Sequence, residues 1–120
     1  MKGTYLLFLK IDKDLTLNVG KLGEINFKRG WYVYVGSGMN SLIGRVARHF
    51  KKVKKKRWHV DYLSVEANEM VAFLIPNKKI ECDLAKDLAK RFEPIEGFGC
   101  SDCKCLSHLF YIGAKTQLLE

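Results

Sequence analysis

Residue types that could cleave a phosphodiester occur at four places in this sequence. Tyr5 and Tyr34 lie in strand-like segments, Arg45 and His49 lie four positions apart in a helix-like segment, and Glu81 begins a later one. Phosphodiester hydrolysis needs a group that activates water and positive charge on the non-bridging oxygens. It usually also needs a metal ion at the leaving oxygen. Because residues four apart project from the same side of a helix, Arg45 and His49 are expected to act together.

A basic segment follows the first helix-like segment and suggests a polyanionic partner. "KKVKKKR" spans residues 51–57, and the whole chain carries a formal charge of +8 with a pI of about 9.4. Contacts to phosphates are electrostatic and independent of base sequence, so a mobile basic loop could clamp DNA. A solvated loop without a partner is the alternative. The candidate DNA-binding residues are Arg48, Lys52, Lys54, Lys55, Lys56 and Arg57.

The tail of the chain is rich in cysteine. Cys100, Cys103, Cys105 and His108 offer four potential zinc ligands, and Cys82 could replace one of them. Their spacing is tighter than the usual two-pair arrangement of a zinc site. We therefore favour packed thiols over a structural zinc site or reactive cysteines.

The length and pattern of the chain predict a single domain over residues 1–120, with a cysteine-rich tail at 97–113. Segment 4–11 is a nearly continuous apolar run, typical of a strand buried on both faces. "LTLNV" and "EINF" flank a turn at 20–23, and "WYVYV" is expected to be the third strand of an antiparallel meander. The expected fold class is α+β, with a small, mainly antiparallel sheet flanked by helices.

Two helices are predicted after these strands. Asn40 and Ser41 can cap the first helix, whose expected buried face is Leu42, Val46, Phe50 and Val53. Arg45, Arg48, His49 and Lys52 are expected on the opposite face. The second helix carries Ile80, Leu84, Leu88 and Phe92 at intervals of four. "MVAFLI" and "HLFYI" are predicted strands, whereas "WHVDYL" is ambiguous. On a strand, His59 and Asp61 would share one face, with a structural hydrogen bond favoured over a metal role.

No apolar run approaches the roughly 20 residues that span a bilayer. The N-terminal segment lacks a small-residue cleavage site after its apolar stretch, so a cytoplasmic protein without membrane contact is expected.

Together, "GTY" at 3–5, "YVG" at 34–36, Arg45 and His49 resemble the GIY-YIG nuclease superfamily over about residues 3–94. The tail "GFGCSDCKCLSHLFY" resembles a prokaryotic branch of that superfamily, sometimes found appended to endonuclease III-type DNA repair proteins. The resemblance implies a DNA endonuclease dependent on Mg²⁺ or Mn²⁺ that acts in repair or processing. It also implies a repair glycosylase/lyase as a candidate partner.

The same resemblance implies roles for individual residues. It nominates Tyr34 first and Tyr5 second as the general base, Arg45 as the ligand of the scissile phosphate, and His49 as its assistant. The metal-binding glutamate of the family aligns with Ala85, and Glu81 lies one turn earlier. Ser37 replaces a lysine of the family, and the cysteine-rich tail replaces a closing asparagine.

These departures keep two alternatives open. One is a non-catalytic DNA-binding module of the same fold. The other is an accessory domain that uses the cysteine tail for metal or redox chemistry.

Overall fold

The computed structural model describes residues 1–100 and 103–114, and it has the α+β architecture predicted from the sequence. The strands are β1 (Gly3–Ile11), β2 (Leu15–Asn18), β3 (Glu24–Phe27), β4 (Gly30–Gly38), β5 (Glu69–Pro76), β6 (Glu93–Pro94) and β7 (Leu109–Gly113). The helices are α1 (Leu42–His49), α2 (His59–Ser64) and α3 (Glu81–Ala89), and a 3₁₀ turn spans Gly20–Leu22.

The main sheet has five antiparallel strands in the order β5-β1-β4-β7-β6. The predicted meander is wrong, because β4 pairs directly with β1, and among the described strands β2 and β3 pair only with each other. Strands β1 and β4 each have nine residues, most of them buried, so their pairing forms the apolar centre of the sheet. The four-residue strands β2 and β3 alternate in burial and form a separate hairpin.

Helix α1 begins as predicted, and its first two predicted apolar positions, Leu42 and Val46, are buried. The Ser41 hydroxyl accepts a hydrogen bond from the Gly44 N–H at 3.0 Å, which confirms the N-cap. Phe50 and Val53 are 44% and 93% exposed, so their expected place in the buried face is wrong. The helix ends at His49, so Phe50 and Val53 lie beyond it and do not share its buried face. His49, expected on the solvent side, is buried instead.

The ambiguous segment "WHVDYL" contributes to helix α2, and its Asp61 is fully buried. Both carboxylate oxygens of Asp61 accept hydrogen bonds from Arg48, at 2.8 and 3.0 Å. The backbone N–H groups of Arg57 and Trp58 donate to Oδ2 of Asp61 at 2.7 and 3.0 Å. Burial alone would raise the pKa of Asp61, but these hydrogen bonds lower it, so the carboxylate stays charged.

Apolar clusters cover both faces of the sheet. One includes Tyr5, Leu7 and Leu9 with residues of α1 and α2, and the other centres on Trp31, Phe110 and α3. The predicted apolar positions Leu84 and Leu88 of α3 are only half-buried, and its buried residue is Ala85. Strand β7 pairs with β4, which confirms the predicted terminal strand and docks the tail on the sheet.

Candidate active site

The dispersed candidate residues meet at one cavity of about 340 Å³. Tyr5 comes from β1, Tyr34 from β4, Arg45 from α1 and Glu81 from the start of α3. The fold thus places four of the predicted site residues around a common space. The remaining lining residues are Val35, Gly36, Ser37, Trp58, Lys79, Cys82, Gly99, Cys103 and His108.

Gly36 makes room for Tyr5. The β1–β4 register places Tyr5 directly opposite Gly36. A Cβ added at Gly36 would overlap the Tyr5 hydroxyl and the ring carbon that carries it. Gly36 and Gly38 both lie within β4 rather than in a turn, and a Cβ at Gly38 would meet Cα of Leu42 at 2.9 Å. Both glycines therefore serve close packing around the cavity and the start of α1.

Tyr5 and His49 form a buried hydrogen-bonded pair. The Tyr5 hydroxyl lies 2.6 Å from Nε2 of His49, and the rings are 5.3 Å apart between centroids. Burial, with a contribution from Tyr34, raises the pKa of Tyr5 above its ordinary value. Burial and the nearby Lys54 lower the pKa of His49 to about 4. At neutral pH both side chains are therefore uncharged, and the hydroxyl can donate to Nε2 in the tautomer that carries its proton on Nδ1.

Arg45 supplies the positive charge of the cavity. Its guanidinium lies 4.1 Å from the centroid of the Trp58 ring, and the guanidinium of Arg48 lies 4.4 Å from that centroid. Within residues 1–100 and 103–114, no carboxylate forms a salt bridge with Arg45, whereas Arg48 pairs with Asp61. Stacking on Trp58 holds the Arg45 charge in place and leaves it available to an anion.

Glu81, rather than position 85, faces the cavity. Position 85 is an alanine, and Ala85 packs in the apolar cluster with Trp31 and Phe110. A side chain at this position therefore points away from the cavity. Oε2 of Glu81 is buried and has no hydrogen-bond partner among the described residues. An unpaired buried carboxylate oxygen is costly, which makes Glu81 a candidate ligand for a cation.

The sequence pattern did not indicate a role for Thr4 or Lys79. The Thr4 hydroxyl donates to the Lys78 carbonyl at 2.7 Å and accepts from the Ile80 N–H at 3.0 Å. Thr4 thereby anchors the segment that leads into α3 and brings Lys79 and Glu81 to the cavity. Lys79 therefore lines the cavity together with Ser37, a proximity that no local spacing in the sequence reveals.

The predicted DNA-binding residues divide into two groups. The charged groups of Arg48, Lys52 and Lys54 are hydrogen-bonded to acceptors within the protein. Lys52 and Lys54 were expected in a solvated basic loop, and these contacts hold them against the protein instead, although Lys52 remains exposed. Lys52 donates to the carbonyls of Ser64 and Ala67, and Lys54 donates to those of Arg48 and His49 at 3.0 and 3.1 Å. The other group, Lys55, Lys56 and Arg57, is exposed.

His59 also has a structural contact. Its Nδ1 accepts a hydrogen bond from the Gly99 N–H at 2.8 Å. Gly99 has a φ of +75°, and a Cβ there would lie 3.1 Å from Cε1 of Tyr34. The structure therefore uses His59 and Asp61 to hold the tail and Arg48, as the structural interpretation of this pair expected.

The cysteine cluster differs in composition from the predicted set. Ligand atoms of Cys82, Cys103, Cys105 and His108 all lie within 4.8 Å of one another. Cys82 thus occupies the place that the sequence analysis gave to Cys100. Three members, Cys82, Cys103 and His108, also line the cavity.

Fold and site define a small α+β protein with a polar cavity formed by aromatic, basic and acidic side chains at one end of the main sheet. The family described as "Domain of unknown function DUF123" matches residues 4–120, and the chain belongs to this family. Comparisons with the curated proteins and with the solved structures gave no match. Among the described residues, no helix has the length and apolarity needed to cross a bilayer.

Proposed function

We propose that this protein is a metal-dependent endonuclease of the GIY-YIG type that hydrolyses DNA phosphodiester bonds. The observation that carries the proposal is the shared cavity of Tyr5, Tyr34, Arg45 and Glu81, which come from separate elements of the fold. Each of these residues can serve a distinct need of the reaction. The proposal includes a cytoplasmic location and a role in DNA repair or processing, alone or beside a glycosylase/lyase.

Glu81 fits the role of ligand to a divalent cation. Its buried, unpartnered Oε2 offers the hard oxygen donor that Mg²⁺ or Mn²⁺ prefers. Mg²⁺ commonly binds proteins through one or two carboxylates, with water and phosphate oxygens as its other ligands. When bound, such an ion would stabilise negative charge on the leaving oxygen.

Tyr5 and His49 can accept the proton of the attacking water. The hydroxyl oxygen of Tyr5 takes the water proton while its own proton passes along the 2.6 Å hydrogen bond to Nε2 of His49. His49 makes this hydrogen bond with Tyr5 and not with Tyr34. We therefore assign the general base to the Tyr5–His49 pair, in place of the first nomination of Tyr34. Tyr34 remains at the cavity as a hydrogen-bonding group for water or phosphate.

Arg45 can bind the scissile phosphate and lead the strand toward the exposed basic residues. It lines the cavity and also an adjoining groove formed with Gly38, Ser41 and Gly44 at the start of α1. The guanidinium favours a phosphate, whereas the Leu42 and Gly44 N–H groups at the helix start already donate within the protein. Lys55, Lys56 and Arg57 extend the positive charge beyond α1.

A DNA panel tests this proposal. Labelled duplex, flap, branched and abasic DNAs are incubated with the protein in Mg²⁺, Mn²⁺ or EDTA. We expect strand cleavage with either metal and none in EDTA. Arg45→Ala should reduce the rate by about 10²- to 10³-fold and largely preserve binding. Arg91→Ala, which removes an exposed arginine beyond α3, serves as the control.

The outcomes separate the proposal from the DNA-binding alternative. Binding without cleavage on every substrate and metal would favour a non-catalytic module. Equal losses in Arg45→Ala and Arg91→Ala would remove Arg45 from the reaction.

A further inference from the structure

The four-residue group of Cys82, Cys103, Cys105 and His108 has no role in the proposed cleavage reaction. Cys82 lies in the first turn of α3, Cys103 and Cys105 lie in the tail, and His108 immediately precedes β7. Their ligand atoms, separated by up to 26 positions in the chain, lie within 4.8 Å of one another. We propose that this group is a structural zinc site with three thiolate ligands and one imidazole ligand.

The distances suit a tetrahedral ion. With Zn–S bonds of about 2.3 Å and a Zn–N bond of about 2.0 Å, tetrahedral ligand atoms lie roughly 3.5–3.8 Å apart. The Cys103 sulfur and His108 Nε2 are already 3.1 Å apart. The group therefore needs only small side-chain shifts to surround an ion.

A second observation concerns the orientation of His108. Its Nδ1 lies 3.2 Å from the carbonyl oxygen of Val35, in β4. A carbonyl can only accept, so Nδ1 carries the proton and Nε2 presents its lone pair to the sulfur atoms. A histidine that binds a metal usually donates its other ring N–H to such an acceptor. The main sheet thus fixes both the ring and the tautomer that a metal requires.

The donor types distinguish this site from Glu81. Thiolates and imidazole select zinc and other borderline or soft metals, whereas a carboxylate selects Mg²⁺ or Mn²⁺. The position also gives the ion a structural task. Residues 103–108 form neither helix nor strand, and zinc would tie them to the first turn of α3.

Metal content tests the zinc site without reference to DNA cleavage. The protein and two variants, Cys82→Ser and Cys100→Ser, are purified under reducing conditions without added metal, and zinc is measured by mass spectrometry. Cys100 lies outside the four-residue group, which makes its variant the matched control. We expect about one zinc ion per chain in the unchanged protein and in Cys100→Ser. Removing a residue that only hydrogen-bonds to a metal ligand typically lowers metal affinity by roughly 10- to 100-fold. Cys82→Ser removes a ligand itself and should lower zinc affinity by more than this.

Cobalt substitution gives a second readout that does not depend on a variant folding. After chelation, Co²⁺ added to the unchanged protein should produce the strong visible bands of tetrahedral cobalt and near-ultraviolet thiolate charge transfer. Absence of both bound zinc and this spectrum would overturn the proposal. Equal zinc affinity in the two variants, or a decrease only in Cys100→Ser, would overturn the assigned ligand set.

Discussion

The 2.6 Å contact between the Tyr5 hydroxyl and Nε2 of His49 is the basis for proposing that these two residues transfer a proton. Tyr5→Phe removes the hydroxyl and should lower the cleavage rate by about 10²- to 10⁴-fold, the range typical of removing a general base. Tyr34→Phe should cause a smaller decrease, because Tyr34 has no comparable proton acceptor in this assignment. Single-turnover cleavage measures both effects.

Tyr5→Phe also leaves Nε2 of His49 buried without its partner, which costs about 1–3 kcal/mol of stability. Urea unfolding must therefore show that the variant is folded under the assay conditions. Normal cleavage by Tyr5→Phe together with a loss of cleavage in Tyr34→Phe would return the base to Tyr34.

The neutral state of His49 predicts how stability depends on pH. Burial lowers its folded-state pKa to about 4 from an unfolded value of 6.5. The unfolded chain therefore binds a proton first as the pH falls. The contribution of His49 is complete above pH 6.5 and is lost progressively between pH 6.5 and pH 4.

His49→Gln removes this titration while keeping a polar side chain. Between pH 7.5 and pH 5, the drop in the free energy of unfolding should be about 1–2 kcal/mol smaller in the variant. Urea titrations at both pH values measure this difference. An identical drop in both proteins would show that His49 does not titrate as described.

Sequence reasoning nominated Tyr5, Arg45 and Glu81 from their residue types and positions, and the structure brings all three to one cavity. Lys79 and Thr4 were missed because their roles depend on contacts between β1 and the segment before α3. Such contacts join positions 74 and 76 apart and leave no local pattern.

Among the secondary-structure elements, α2 provides hydrogen-bond acceptors for basic residues that precede it in the chain. Its buried Asp61 binds Arg48, and a carbonyl at its C-terminal end accepts from Lys52. The sequence pattern indicated a solvated basic loop because the segment that forms α2 was ambiguous, and its hydrogen-bond acceptors for Arg48 and Lys52 could therefore not be predicted. Among the predicted DNA-binding residues, Lys55, Lys56 and Arg57 are exposed and have side chains without a hydrogen bond to the described residues, so they are the ones expected to contact DNA.

Replacing Lys55, Lys56 and Arg57 together with glutamine should weaken DNA binding and its salt dependence. The slope of log affinity against log salt should flatten by about 0.9 for each duplex phosphate that the variant no longer neutralises. Lys13, Lys21 and Lys86, also exposed, provide a triple variant with the same change in charge. Equal slopes for the two variants would exclude a specific role of the basic segment.

At the scale of the whole molecule, fold class was predictable and topology was not. Long apolar segments identified β1 and β4, but their pairing spans the β2–β3 hairpin. Chain order favoured a meander, whereas burial of two nine-residue apolar strands against each other decides the outcome. That pairing places Tyr5 beside Gly36 and closes the cavity, so the site depends on a feature that local patterns do not encode.

The central claim is that this cavity is a metal-dependent cleavage site with Glu81 as its cation ligand. The most direct measurement compares Mg²⁺-dependent DNA cleavage by the unchanged protein, Glu81→Gln and Asp83→Asn. Both variants remove one negative charge from the first turn of α3, but Asp83 is exposed and does not line the cavity.

We expect Glu81→Gln to remain folded and bind DNA but lose Mg²⁺-dependent cleavage, and Asp83→Asn to cleave normally. Full cleavage by Glu81→Gln would contradict the assignment and show that the cation is held elsewhere.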